Sequence, residues 1–292
     1  MAERDFVLST ETTCDMPMSY YAQQGVNLLG LTFTIDGVNY NSVDSPMTSA
    51  QFYAKVRGGA LPKTAQVSVA QASASFERLV EEGKDILHLA FSSGLSGTCQ
   101  ACALAAREVM ERHPGSRIVV VDSLAASMGQ GLMLHYLVTL KQEGKTLDQC
   151  RQLVEENRLR FCHNFTVDDL FHLHRGGRVS KMSAVLGTAL GIKPALHVDD
   201  EGHLINVAKV RGRRQSLDWL VDRMAEHRDA SSSLPVFISH GDCLEDAQYV
   251  AGLVTKRFGI TDISIGDIGP VIGSHSGPGT VALFFLGDSR HL

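Results

Sequence analysis

Residues 86–98, Ile-Leu-His-Leu-Ala-Phe-Ser-Ser-Gly-Leu-Ser-Gly-Thr, constrain this chain more than any other stretch. The first six form a mostly apolar run, as expected of a strand buried on both faces of a parallel sheet. From Thr98 onward, Cys102, Ala105, Ala106 and Val109 recur with a helical period, which predicts a helix over residues 98–110. Between them lie Ser92, Ser93, Gly94, Leu95, Ser96 and Gly97, a tight turn that leads into the unpaired N–H groups and positive dipole of a helix start. Such a turn can cradle an anion. It can equally be a serine-rich loop that caps its own helix, and the stretch by itself leaves both readings open.

The same unit recurs on either side of it. Residues 6–9 read as a strand, followed by the polar turn Thr10-Glu-Thr-Thr-Cys-Asp-Met-Pro17, with Pro17 suited to a helix start. Residues 28–35 read as one strand that ends in an Asp36-Gly37 hairpin turn. Thr48-Ser-Ala-Gln51 predicts a capped helix ending near Gly58, residues 61–67 should be extended, and a helix from Ser68 should stop at Gly83. A strand over 118–121, a long helix over 124–141 and a capping box at Thr146-Leu-Asp-Gln149 follow. Strands alternating with helices as far as residue 158 predict a parallel sheet covered on both faces. Ligands sit at the carboxyl ends of such strands, where residues 10–13, 92–98 and 122–123 would gather.

After residue 158 the rhythm changes. Strand 161–167 is followed by Arg175-Gly-Gly-Arg178, and Val185, Leu186, Ala189 and Leu190 then predict a helix. Residues 194–198 and 203–210 predict an antiparallel hairpin, and Leu217, Leu220, Val221 and Met224 an amphipathic helix. Strand 235–240, helix 244–258, strand 260–265 and strand 281–286 complete the chain. The expected architecture is α/β in two domains. Residues 1–158 form a mostly parallel domain and residues 159–292 a mixed, partly antiparallel one, with residues 62–83 a segment of the first able to pack on the second. A chain of 292 residues has room for two cores.

A net charge of -5 gives no general attraction to nucleic acid or membrane, and no apolar run approaches the roughly 20 residues of a membrane span. With no apolar signal core near the start, the expected location is cytoplasmic. Of six cysteines only Cys99 and Cys102 have C-x-x-C spacing, and no second pair completes a zinc site, so no metal is expected.

Three further groups of residues invite chemistry. Residues 266–280 carry too many glycines for a helix and read as a long loop around His275, either a ligand loop or a plain turn between strands. They fit neither the P-loop nor the dinucleotide glycine pattern. Lys209, Arg211, Arg213 and Arg214 form a basic cluster, read as a solvated face, with nucleic-acid binding by a regulatory module as the rival. Arg175 and Arg178, set around two glycines, can reach a phosphate or make surface ion pairs. On paper Asp267, His240, Asp242 and His275 assemble a hydrolytic site, but no nucleophile elbow or zinc motif accompanies them.

Taken in order, Thr10 to Pro17, Lys63-Thr-Ala-Gln66, Ser92 to Thr98, Val121-Asp-Ser123, Arg175-Gly-Gly-Arg178, Gly191-Ile-Lys-Pro194, Lys209-Val-Arg-Gly212 and Gly269-Pro270 through Gly277-Pro-Gly-Thr280 resemble DegV proteins across nearly the whole chain. The resemblance implies a non-catalytic carrier that holds a long-chain fatty acid between two α/β domains. It presents the carboxylate to a separate fatty acid kinase, which makes an acyl phosphate for phospholipid synthesis. No cofactor and no nucleic acid are implied, and membrane contact would be transient at most. By position, Thr64, Ser96, Gly97 and His275 are the implied carboxylate contacts. Thr12, Ser93, Gly94, Ser123, Gly277 and Thr280 belong to the surrounding head-group loops, and Arg175 and Arg178 to the kinase-facing side. The chain departs from the family pattern with Glu11 and Thr12 in place of aspartate and serine, and with Ala65 and Val67 in place of serine and proline. The rival enzyme reading uses Ser96 as nucleophile and His275 as base, in an acyl-ester hydrolase or transferase.

Overall fold

A computed structural model describes residues 5–45, 47–179 and 191–290. Strand β1 (Phe6–Glu11) passes through a single 3-10 turn into α1 (Met18–Gln24) and β2 (Asn27–Leu29). Next come β3 (Thr32–Ile35), β4 (Val38–Asn41), α2 (Ser49–Arg57), β5 (Lys63–Ala65) and α3 (Val69–Glu81). The opening stretch is β6 (Asp85–Ala90) and α4 (Thr98–Arg112), followed by β7 (Ile118–Asp122), α5 (Met128–Gln142) and α6 (Leu147–Asn157). The remainder comprises β8 (Phe161–Thr166), α7 (Phe171–Arg175), β9 (Ile192–Val198), β10 (Leu204–Arg211), α8 (Arg213–His227), β11 (Val236–His240), α9 (Leu244–Phe258), β12 (Ile263–Asp267), α10 (Pro270–Ser276) and β13 (Val281–Leu286).

The first sheet is parallel throughout, in the order β2-β1-β6-β7. Every residue of β6 is buried, because helices cover both faces. Ile86 points to α3 and α4, where it meets Ala72, Phe76, Cys102 and Val109. Leu87 and Leu89 point the other way, to Leu132 and Met133 of α5. Each such leucine or isoleucine contributes about 1.5–3 kcal/mol by leaving water. The second sheet is mixed, in the order β10-β9-β8-β13-β11-β12, with only β11 and β12 parallel. Helices α8 and α9 cover its outer face through Leu217, Leu220, Val250 and Val254.

Helix α5 joins the two halves. It is apolar nearly all round, and its cluster takes in Leu8 and Leu89 of the first sheet together with Phe161, Phe165, Phe237 and Phe284 of the second. A helix with apolar residues on every side has to be buried on every side.

The alternation of strands and helices, the parallel first sheet, the antiparallel hairpin β9–β10 and the capping boxes at Thr48 and Thr146 all match expectation. Three local readings need correction. Residues 28–35 are two strands in different sheets: β2 joins β1, whereas β3 pairs with β4 and β5 in a separate three-stranded sheet. The break falls at Gly30, where a Cβ would come within 2.1 Å of Asn41 Oδ1. The long helix starts at Met128 rather than 124, because Leu124 and Ser127 take positive φ angles of 50° and 53°. Third, the glycine-rich stretch 266–280 contains the helix α10, with Pro270 in its first turn and Gly277 ending it at φ 76°. Glycine is accommodated there because Gly273 lies against Tyr53, whose Oη would be 2.5 Å from a Cβ. The helix expected around Val185 to Leu190 lies outside the described residues.

Within residues 62–83, β5 pairs with β3 and touches α10, while α3 packs on the first sheet.

Candidate functional site

Residues from both halves enclose a cavity of about 1050 Å³, counting its open mouth. Its walls are apolar: Leu31, Phe91 and Leu95 come from the first half, and Phe165, Leu173, Val198, Leu204, Val271, Ala282 and Phe284 from the second. Such a wall follows from strand periodicity, since Phe161, His163 and Phe165 share one face of β8 while Cys162 faces α8.

The mouth is polar. Thr64 on β5 and His275 on α10, 211 residues apart, meet with Oγ1 and Nε2 2.8 Å apart. The His275 ring edge lies against Gly176, where a Cβ would come within 2.1 Å of Nδ1. Burial, aided by Arg178 and Arg175, pushes the His275 pKa down to about 4, so the ring is neutral near pH 7 and the positive charge belongs to the arginines. Arg178 reaches across the cleft and donates from Nε to the Leu95 carbonyl at 3.2 Å and from Nη1 to the Gly176 carbonyl. Ser96 Oγ lies 2.9 Å from Thr98 Oγ1 and accepts from the Thr98 amide at 3.2 Å. The side chain of Gln66 crosses Gly97, where a Cβ would lie 2.3 Å from Oε1, so this approach requires glycine.

Thr64, Ser96, Gly97, Arg178, His275 and Thr280 thus line one cavity. The other residues singled out from the sequence make contacts elsewhere. Thr12 Oγ1 is 2.6 Å from Ser42 Oγ. The Ser93 amide donates to Asp122 at 3.2 Å, and Ser123 Oγ accepts from the Ala125 amide at 3.2 Å. Gly94 lies against the backbone at Glu201 and Gly202, and Ser92 Oγ donates to the Gly202 carbonyl at 2.9 Å. Gly277 packs on the ring of His172, and Arg175 donates to the Ser274 carbonyl at 3.3 Å. The loop after β6 is therefore divided: its first part holds the β9–β10 hairpin, and its second part faces the cavity. Ala65, where the family pattern has serine, is exposed on the opposite side of β5 from Thr64.

Sequence reasoning did not single out Gln66, Ser127, His163, Ser239 and Ser276, all of which line the cavity. Gln66 stands in the quoted Lys63–Gln66 stretch, so a signal existed. His163 and Ser239 stand in short buried strands beside other polar residues, Asn164 and His240, and nothing local distinguishes them from satisfied core positions.

Behind the loop lies a closed polar network. Glu11 Oε1 is 3.0 Å from His88 Nε2, and Glu11 Oε2 accepts from the Phe91 amide at 3.0 Å and from Gln130 Nε2 at 2.9 Å. His88 Nδ1 lies 2.9 Å from Ser9 Oγ. Burial opposes charge on His88, but Cys102 and Glu11 beside it outweigh burial and raise its pKa, which favours the charged form of the ring. Glu11, His88 and Cys102 bring three ligand atoms within 4.8 Å of one another, a spacing open to a metal ion. The acid and the imidazole already satisfy each other, and their remaining atoms have protein partners. Nearer the seam, Asp15 accepts from Ser127 Oγ at 2.6 Å and from the Gly269 amide at 3.0 Å. Burial raises its pKa to about 7 against the pull of those two donors.

Of the hydrolytic grouping drawn on paper, His240, Asp267 and Asp242 come together, whereas His275 is engaged with Thr64. His240 lies 3.4 Å from Asp267, Arg57 binds Asp242, and His275 is bonded to Thr64. In the basic cluster, Arg213 pairs with Asp246 at 2.7 Å and Arg214 stacks on Tyr249. Among the described residues no helix is long and apolar enough to cross a membrane.

Comparison with known proteins places this arrangement. A family model described as "Uncharacterised protein, DegV family" matches residues 6–288. A DegV domain-containing protein of Clostridium perfringens is 43% identical over 98% of this chain and 99% of its own length. A DegV family protein from Thermus thermophilus, described by its fatty acid binding, has TM-score 0.86 at 28% identity over 97% of this chain and 99% of that one. A fatty acid binding DegV family protein from Streptococcus agalactiae gives 0.86 at 29% identity, over 98% of this chain and 100% of that one.

Proposed function

The chain belongs to the DegV family, and from that premise we propose that it binds a long-chain fatty acid in the cavity and presents the carboxylate to a separate fatty acid kinase. The carrying observation is the cavity itself, with apolar walls drawn from both halves and Thr64, Ser96, Arg178 and His275 at its mouth. Each CH₂ removed from water there contributes about 0.8 kcal/mol. The carboxylate meets hydroxyls, the amides around Gly97 at the start of α4, and the Arg178 guanidinium, all donors suited to an anion. The likeness to two relatives described as fatty acid binding, at 28% and 29% identity, supports the same ligand.

In this reading Thr12, Ser93, Gly94, Ser123, Gly277 and Thr280 shape the loops around the head group. Arg175 and Arg178 edge the side offered to the kinase. The acid lies between domains of residues 1–158 and 159–292, in a cytoplasmic protein. The chain performs no chemistry of its own: at the kinase a carboxylate oxygen takes the γ-phosphoryl group of ATP, and ADP leaves. The neutral His275 is engaged with Thr64, and Ser96 with Thr98, which favours holding an acid over activating a nucleophile.

Mass spectrometry of a solvent extract of the purified protein tests the reading. A long-chain acid in stoichiometric amount is the expected result. Extracts free of acyl chains, together with no affinity for added fatty acids, would overturn it. Turnover of acyl esters would move the assignment to the hydrolase.

A further inference from the structure

The mouth of the cavity holds one side chain to which no role has yet fallen. Gln66 lines the cavity, and among the described residues that do so it alone is exposed, the others being buried or partly buried. It marks the place where the cavity meets solvent. Strand alternation brings it there: Thr64 and Gln66 stand two residues apart at the end of β5 and share the cavity side, with Ala65 on the other.

The backbone around Gln66 is held on both flanks. Thr64 pairs with Phe33 in the β3–β5 ladder and bonds His275. Val67 is fully buried, and its amide donates to Thr98 Oγ1 at 3.4 Å, a hydroxyl 2.9 Å from Ser96 Oγ. The segment is thereby tied to the start of α4. The side chain is not tied, for its carboxamide makes no hydrogen bond among the described residues. It rests on Gly97, where a Cβ would lie 2.3 Å from Oε1, 3.1 Å from Cδ and 3.2 Å from Nε2. Gly97 is the N-cap of α4 and supplies no side-chain bond to the first amides of that helix.

A carboxylate offers only acceptors, and both of its oxygens call for donors. Thr64 and Ser96 are partly buried, whereas Gln66 is exposed, so an oxygen turned toward solvent lies on the Gln66 side. Arg178, the cationic group of the mouth, already spends Nε and Nη1 on the carbonyls of Leu95 and Gly176. An amide N–H to a charged oxygen is about twice as strong as the same bond to a neutral one.

Resting on the fatty-acid reading above, we propose that Gln66 recognises the charged head group: its carboxamide turns off Gly97 and donates from Nε2 to the outer oxygen of the carboxylate. The residue thus selects a free acid over an uncharged lipid of the same chain, and fixes which oxygen faces out of the mouth.

The test is displacement of a fluorescent fatty acid by palmitate and by hexadecanol at neutral pH, with the affinity of the probe itself measured for every variant. Gln66→Ala, and Gln66→Asn with its shorter reach, should bind palmitate about fivefold more weakly than the wild type. Gln66→Glu, which sets one carboxylate beside another, should bind it more than about tenfold more weakly. Hexadecanol carries no charge and reports on the apolar walls, so its affinity should change by less than about twofold in all three. Palmitate affinities unchanged in the alanine and glutamate variants, or equal losses for palmitate and hexadecanol, would overturn the role of Gln66. Failure of the wild type to bind palmitate would instead overturn the carrier reading itself.

Discussion

Two sets of polar side chains touch the loop that follows β6, and they are finished differently. Behind the loop, Glu11, His88, Ser9 and Gln130 close on one another and on the Phe91 amide. In front of it, on residues that line the cavity, His275 Nδ1, Ser276 Oγ and His163 Nδ1 are buried with no hydrogen-bond partner in the protein. Both sets carry the cost of burying polar atoms, but only the first recovers it within the protein. The first set is therefore framework, and holds the loop where it is. Its neighbour is not closed within the protein.

The largest break in that contrast should come from Glu11→Ala. It leaves the His88 imidazolium without its counter-ion at a fully buried position, and loss of one partner from a buried pair costs about 3–5 kcal/mol. Urea unfolding measures it. A loss below about 1 kcal/mol would erase the distinction between the sets. Thr64→Val should show the converse pattern. Affinity for a fatty acid falls about tenfold for a lost hydrogen bond to a charged group, while stability stays within about 0.5 kcal/mol. Calorimetric titration beside a thermal melt separates the two, and a large stability loss with unchanged affinity would assign Thr64 to the framework.

Asp15 lies between the two cases, and its effect is spread over a range of pH. Its pKa is raised from 3.8 to about 7 in the folded chain, so the folded state holds a proton that the unfolded state has released. The stabilisation from that proton is full below about pH 3.8, declines as pH rises, and is gone above about pH 7. The slope through this window is at most about 1.4 kcal/mol per pH unit. Asp15→Asn should flatten it, as read from unfolding midpoints across the window. An unchanged profile would mean that Asp15 does not titrate there.

How much of this was legible depended on how local each cause was. The apolar run 86–91 needed only its own residues to declare a doubly covered strand, and Thr48 and Thr146 declared their helices through three-residue spacings. Residues 28–35 failed because the break depends on Asn41, which closes over Gly30 from another strand. Stretch 266–280 failed because glycine propensity argues against a helix that only packing against Tyr53 favours. Within the cavity, Thr64 and His275 could be found through whole-chain resemblance. Phe165, Ala282 and Phe284 could not, because a residue lining a cavity and a residue filling a core have the same pattern along a strand.

The bond between Thr64 and His275 also sets a schedule. Its partners are separated by 211 residues, Tyr53 and the Ile268 carbonyl that it bonds by 215, and Asp15 and the Gly269 amide by 254. At a synthesis rate of about 5–20 residues per second, the ribosome needs roughly 10–50 s to deliver the second member of each pair after the first. Throughout that interval the parallel sheet can form from its own consecutive units, yet the mouth has only one lip. The apolar wall contributed by Leu31, Phe91 and Leu95 must wait for α10 and β13 to arrive before it is enclosed. The pocket is thus among the last parts of the molecule whose walls are all present, since α10 and β13 stand near the end of the described residues.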